Sequence, residues 1–153
     1  MAVCKTPFEA PSQSPVERVR AAHPGEGRVA SAPGTWVLIG ENVDHFGGVT
    51  LAGTVALRAA AAVSPRSDGV VAIDARGPLG QEFSAQWRHD EEPADGLSRR
   101  WWGLVHSLVQ RQVLSRDTAG LDITVESDVP VGAGLGALYA ADAAIALALA
   151  GGH

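Results

Sequence analysis

The sequence predicts an α/β (α+β) fold, a sheet with helices packed on it. Three observations carry this. Short apolar, partly β-branched runs recur at 28–32, 36–39, 50–63, 70–74, 81–86 and 121–126. A stretch with helical periodicity, 98–114, falls between the fifth and sixth of these runs. A glycine-rich turn at 130–136 then leads from the last run into an alanine-rich helical segment. An order of strands, helix, strand, helix is the signature of helices laid on a sheet. At 153 residues the chain reads as one domain, long enough to bury roughly 68–70% of its unfolded surface.

The elements follow in order. Residues 1–13 are rich in Pro and Ser and are expected to form a loose N-terminal tail, with the domain spanning 14–153. Ser14 is placed to cap a short helix, with Pro15 in its first turn and Glu17 three residues after the cap; Pro24-Gly25 ends it. Arg28–Ala32 reads as a short strand and Trp36–Ile39 as another extended run, with the glycines at 34, 40, 47 and 48 punctuating a long loop. Thr50–Val63 reads as one or two strands and Ser64–Gly69 as a turn. Val70–Asp74 is a strand, Gln81–Gln86 a weaker one, and His89–Asp95 a surface connection. In the helix over 98–114, Trp101, Leu104, Val105, Leu108, Val109 and Val113 form one stripe. Leu121–Glu126 alternates as a half-buried strand. The last helix spans about Ala137–Ala150, closed by Gly151-Gly152.

Composition narrows the function classes. Hydrophobic residues make up 46%, much of it alanine, so a globular core is expected, thinly supplied with aromatics. The net charge is −5 and basic residues do not cluster, which argues against nucleic acid as a partner. The single cysteine, Cys4, cannot close an intrachain disulfide, and no secretory leader is evident, so a cytoplasmic setting is expected. The apolar segment 129–152 is interrupted by Asp142 and several glycines, unlike a membrane span. The histidines at 23, 89, 106 and 153 lack metal-ligand spacing and read as solvated or structural.

Two segments carry the chemistry. In the turn Pro130-Val-Gly-Ala-Gly-Leu-Gly136, the glycines at 132, 134 and 136 open left-handed backbone conformations and clear the amides of side chains. The following helix start offers unpaired N–H groups and a positive dipole end, a ready seat for an anion. No Gly-Lys-Ser/Thr follows, so this is not a Walker loop. A tightly packed strand-to-helix turn is the plainer explanation. In the second segment, Glu41, Asn42, Asp44 and His45 share a glycine-bordered loop. Carboxylates and an amide suit recognition of neighbouring sugar hydroxyls. A divalent cation on Glu41, Asp44 and His45, or a solvated acidic turn, are the competing readings.

Taken together, the two segments resemble the galactokinase branch of the GHMP small-molecule kinases. Gly34-Thr-Trp-Val-Leu-Ile-Gly-Glu-Asn-Val-Asp-His-Phe-Gly-Gly48 is similar to a family signature close to Gly-Arg-x-Asn-Leu-Ile-Gly-Glu-His-x-Asp-Tyr-x-Gly-Gly. Pro130–Tyr139 is similar to the family's Pro-x-Gly-x-Gly-Leu-Ser-Ser-Ser-Ala loop, and Trp101 with Val105 resembles the start of the helix between them. The similarity spans roughly residues 28–150 and only the first part of a full-length member.

The resemblance implies the fold of the family's N-terminal domain, a mixed sheet of the ribosomal-protein-S5-domain-2-like type. It implies ATP-dependent phosphorylation of the anomeric hydroxyl of galactose, with Mg2+. Glu41, Asn42 and Asp44 match the sugar-binding positions. Pro130, Gly132, Ala133, Gly134, Leu135 and Gly136 match the nucleotide-phosphate loop, and Trp101 a tryptophan near the adenine, or equally a core residue of the helix stripe. The departures bear on chemistry. Thr35 stands at the family's arginine, and Gly136, Ala137 and Leu138 replace its serine run. No planar guanidinium is available there, and phosphoryl transfer depends on such positioned charge. The family's aspartate base and third motif are expected beyond residue 153, so no catalytic residue or metal ligand is assigned. Little or no turnover is expected of this chain alone. A non-catalytic sugar or nucleotide module, one half of a two-chain kinase whose companion supplies the rest, and a decayed gene product are the alternatives.

Overall fold

The structure, a computed structural model, describes residues 12–78, 81–88, 90–115 and 120–151. Cys4, His89, His153 and most of the expected N-terminal tail lie outside them.

Helix α1, Pro15–Ala22, begins as its sequence dictates. The Ser14 hydroxyl accepts from the Glu17 amide, and the Glu17 carboxylate accepts from the Ser14 amide at 2.7 Å. Among the described residues five strands follow: β1 Arg28–Ile39, β2 Leu51–Arg66, β3 Val70–Arg76, β4 Glu82–Arg88 and β5 Gly120–Ser127. Helix α2, Gly96–Gln110, precedes β5, and α3, Ala137–Ala150, follows it. The sheet order is β1-β2-β5-β3-β4, with β3 and β5 parallel and the other pairs antiparallel. It is the mixed sheet with packed helices that the sequence predicts.

Several boundaries differ from the sequence reading, each for a physical reason. The two extended runs at 28–32 and 36–39 are one strand. Pro33 is tolerated because β1 is an edge strand, and the register slips between Pro33 and Thr35. The segment from 51 to 66 is also one strand; Ser64-Pro65-Arg66 is its end, not a turn. The Pro65 ring costs no ladder bond to β1, because pairing with β1 stops at Val63. Helix α2 starts earlier than its apolar stripe, since Asp95 caps it by accepting from the amides of Leu97 and Ser98. It stops at Gln110, which leaves Val113 outside the helix.

The core is built on alanine. Ala59, Ala60, Ala61 and Ala62 of β2 are all fully buried. Ala59 and Ala61 face the cluster that includes α2 and α3, while Ala60 and Ala62 face Val19 of α1. Small side chains on both faces of a central strand let helices approach from both sides. Larger residues fill the space further out, with Trp101, Ile73 and Ile145 among the largest fully buried side chains.

His23, at the end of α1, is a structural histidine. It is 7% exposed, and its two ring nitrogens lie 2.9 Å from Thr124 Oγ1 and Ser64 Oγ. Burial pushes its pKa below the ordinary value of 6.5, with Asp122 opposing. The neutral ring is therefore what the fold stabilises. That contribution is complete above pH 6.5 and is lost as pH falls through the lower folded value. Thermal melts should show a smaller acid-side loss of stability for His23→Gln than for the parent below about pH 6.5.

Candidate functional site

The glycine turn enters from β5 and ends at Gly136, the N-cap of α3. Gly132, Gly134 and Gly136 have φ of 80°, 72° and 62°. A Cβ added at Gly132 or Gly134 would meet nothing within 4 Å. Tight packing therefore does not explain these two glycines; the left-handed backbone does. Gly136 is different, since a Cβ there would stand 2.6 Å from Thr35 Oγ1. The first turn of α3 has no side-chain cap and no acidic residue, whereas α1 and α2 are both capped by side chains. Its leading amides are left for another acceptor.

The turn is seated on β1. The Thr35 amide donates to the Leu135 carbonyl at 3.0 Å. At Gly34 an added Cβ would lie 2.9 Å from that same oxygen and 3.1 Å from Val129 Cγ1. One segment, residues 34–48, thus touches the glycine turn at its start and bears the carboxylate turn further on.

The carboxylate turn is a short, backbone-closed structure. The amides of Phe46 and Gly48 both donate to the Val43 carbonyl at 3.0 Å, and the Thr50 hydroxyl donates to the Gly40 carbonyl at 2.8 Å. Asn42 is left-handed at φ 60°, which asparagine tolerates better than most residues. Glu41 and Asn42 are exposed, and Asp44 opens a short 3-10 turn through Phe46. Among the described residues no group of three or more His, Cys, Asp or Glu is placed to hold a metal ion.

Beside the glycine turn lies a cavity of about 300 Å³, mostly apolar, between Phe83, Leu97, Trp101, Val131, Ala137 and Leu138. Trp101 forms its floor. Only 2% exposed, it meets Phe83 edge-on at 5.3 Å and donates from Nε1 to Asp142 at 3.1 Å. Among the described residues neither Glu41 nor Asn42 lines this cavity. Sequence reasoning missed the group that holds Trp101. Asp142 also accepts from Arg100 Nε at 2.9 Å, and the Arg100 guanidinium sits 5.0 Å over the Tyr139 ring. A single carboxylate within an apolar, alanine-rich helix was the available signal.

Residues 18–65 match the galactokinase galactose-binding signature. The galactokinase of Chloroflexus aggregans is 31% identical over 126 residues, 77% of this chain and 30% of that protein. The chain belongs to the galactokinase family. The galactokinase of Chloroflexus aurantiacus matches to the same extent, so the chain spans about 30% of the length of the curated relatives it matches. The crystal structure of Lactococcus lactis galactokinase complexed with galactose aligns with a TM-score of 0.61 at 20% identity, over 83% of this chain and 33% of that one. Methanococcus jannaschii mevalonate kinase aligns with a TM-score of 0.60 at 15% identity, over 83% and 40%. The architecture is that of a GHMP kinase N-terminal domain. No helix among the described residues is long and apolar enough to cross a membrane.

Proposed function

We propose that this chain is the phosphate- and sugar-binding part of a galactokinase-type sugar kinase, whose reaction is ATP-dependent phosphorylation of galactose at its anomeric hydroxyl. The observation that carries this is the seating of the glycine turn on β1 at Thr35, on the same strand that leads into the carboxylate loop within the galactose-binding signature. In this reading the amides at the start of α3 donate to the nucleotide phosphates, and the neighbouring cavity takes the adenine against apolar walls. Glu41, Asn42 and Asp44 hold the sugar hydroxyls through charge-assisted hydrogen bonds. ATP supplies the phosphoryl group when bound. Magnesium is assigned no protein ligand here.

Binding without turnover is the second reading, and specific residues favour it. Thr35 is a small neutral side chain where the family has an arginine, and Gly136-Ala137-Leu138 carry no hydroxyl. Calorimetric titration should give saturable binding of both galactose and Mg·ATP, with galactose-dependent ADP release near background. Sustained galactose-dependent release would establish the full kinase and refute inactivity. Binding of neither ligand to a cooperatively folded sample would remove both readings.

A further inference from the structure

The strand that feeds the glycine turn ends in an ion cluster formed with Arg18 of α1. Glu126, near the end of β5, is only 7% exposed. Its Oε2 accepts from Arg18 Nε at 3.1 Å, and its Oε1 accepts from Arg76 Nη1 at 3.3 Å. The Arg18 guanidinium reaches further along the chain: Nη2 donates to Asp128 Oδ1 at 2.8 Å, two residues before Pro130. Its Nη1 donates to the Gln13 carbonyl at 2.7 Å. Asp128 itself donates its amide to the Arg58 carbonyl at 2.8 Å. One side chain of α1 therefore spans two carboxylates on either side of Ser127. The turn is held at both ends, by Arg18 through Asp128 and by the Thr35–Leu135 bond.

We propose that Arg18 is a positioning residue for the glycine turn, tying α1 to the geometry in which that turn receives nucleotide phosphates. The last clause rests on the function proposed above; the mechanical link does not. Without the guanidinium, Asp128 loses its ion pair with α1, and its like charge two residues from Glu126 is offset only in part by the more exposed Arg76. Relief comes from swinging Asp128 outward, which moves the entry to the turn. A planar fork meets both carboxylates at once, which a lysine ammonium does less well.

A matched control exists at the other end of β5. Arg66 donates to Asp122 at 2.7 Å and pairs with Asp68, remote from the turn. Amide exchange at Thr35, followed by NMR in the whole chain, reports the Thr35–Leu135 bond. Arg18→Met should speed that exchange by about tenfold relative to Arg66→Met, judged against amides in the centre of β2. Mg·ATP affinity should fall by a similar factor, and Arg18→Lys should restore part of both. Asp128→Asn serves as the milder variant if Arg18→Met does not fold. Equal Thr35 exchange in the Arg18 and Arg66 variants would overturn the proposal. If the parent binds no nucleotide, the phosphate-site reading falls, while the exchange comparison still decides the link.

Discussion

Trp101→Ala is expected to lower stability by about 3–5 kcal/mol and the melting temperature by roughly 10 °C. Trp101 is the largest of the fully buried side chains in a core otherwise dominated by alanine, valine and isoleucine. Alanine neighbours have no length with which to collapse into the space left behind, so the cavity term adds to the lost transfer energy. The substitution also removes the indole donor from Asp142, which keeps Arg100. Urea and thermal unfolding measure the total. Trp101→Phe keeps part of the contact with Phe83 and isolates the smaller cost, about 1–2 kcal/mol, of reducing the volume and removing the indole N–H. A loss under about 1 kcal/mol for Trp101→Ala would mean that α2 and α3 can close over the gap.

Gly40→Ala is expected to lower stability by about 2–3 kcal/mol and, on the proposed function, galactose affinity at least about tenfold. Gly40 has φ of 85°, and an added Cβ would lie 2.3 Å from the Val49 carbonyl oxygen and 2.9 Å from Thr50 Cα. Neither backbone atom can step aside without shifting the turn that presents Glu41, Asn42 and Asp44. Gly47→Ala separates strain from displacement. Its φ of 69° is equally left-handed, yet an added Cβ meets nothing within 4 Å. Its cost should stay near 1 kcal/mol, with galactose affinity little changed. Paired melts and galactose titrations decide between them; equal affinity losses would show that the turn tolerates displacement at its root.

Much of the fold was legible because local signals and burial agree. Ser14 and Glu17 form the capping box that their spacing predicts, and the alternation of Leu121–Glu126 does mark a strand, but not a half-buried one: Thr124 and Glu126 on its polar face are buried too, against His23 and Arg18. Both ends of α2 were misread, and two strand boundaries were misread at prolines. Pro33 and Pro65 look like breaks when read locally. They are harmless where they fall, one on an edge strand and one past the last pair with β1, and strand order is not written in any local window.

The candidate site divides the same way. The glycines at 132, 134 and 136 announce themselves by composition, and their left-handed φ values supply the reason. Arg18, Glu126 and Asp128 did not, since more than a hundred residues separate the arginine from its partners. Charged residues so far apart carry no pairing information until strands fix the register.

The sequence by itself determined the kinds of element, the family signature and the two loops, because hydrophobic period, caps and glycine conformation act within a few residues. Only the tertiary structure decided that the glycine turn sits on β1 at Gly34 and Thr35, that Trp101 floors a cavity while anchored to Asp142, and that α1 grips the end of β5. These are contacts between segments distant in the chain, and their existence depends on how five strands order themselves around an alanine-lined centre.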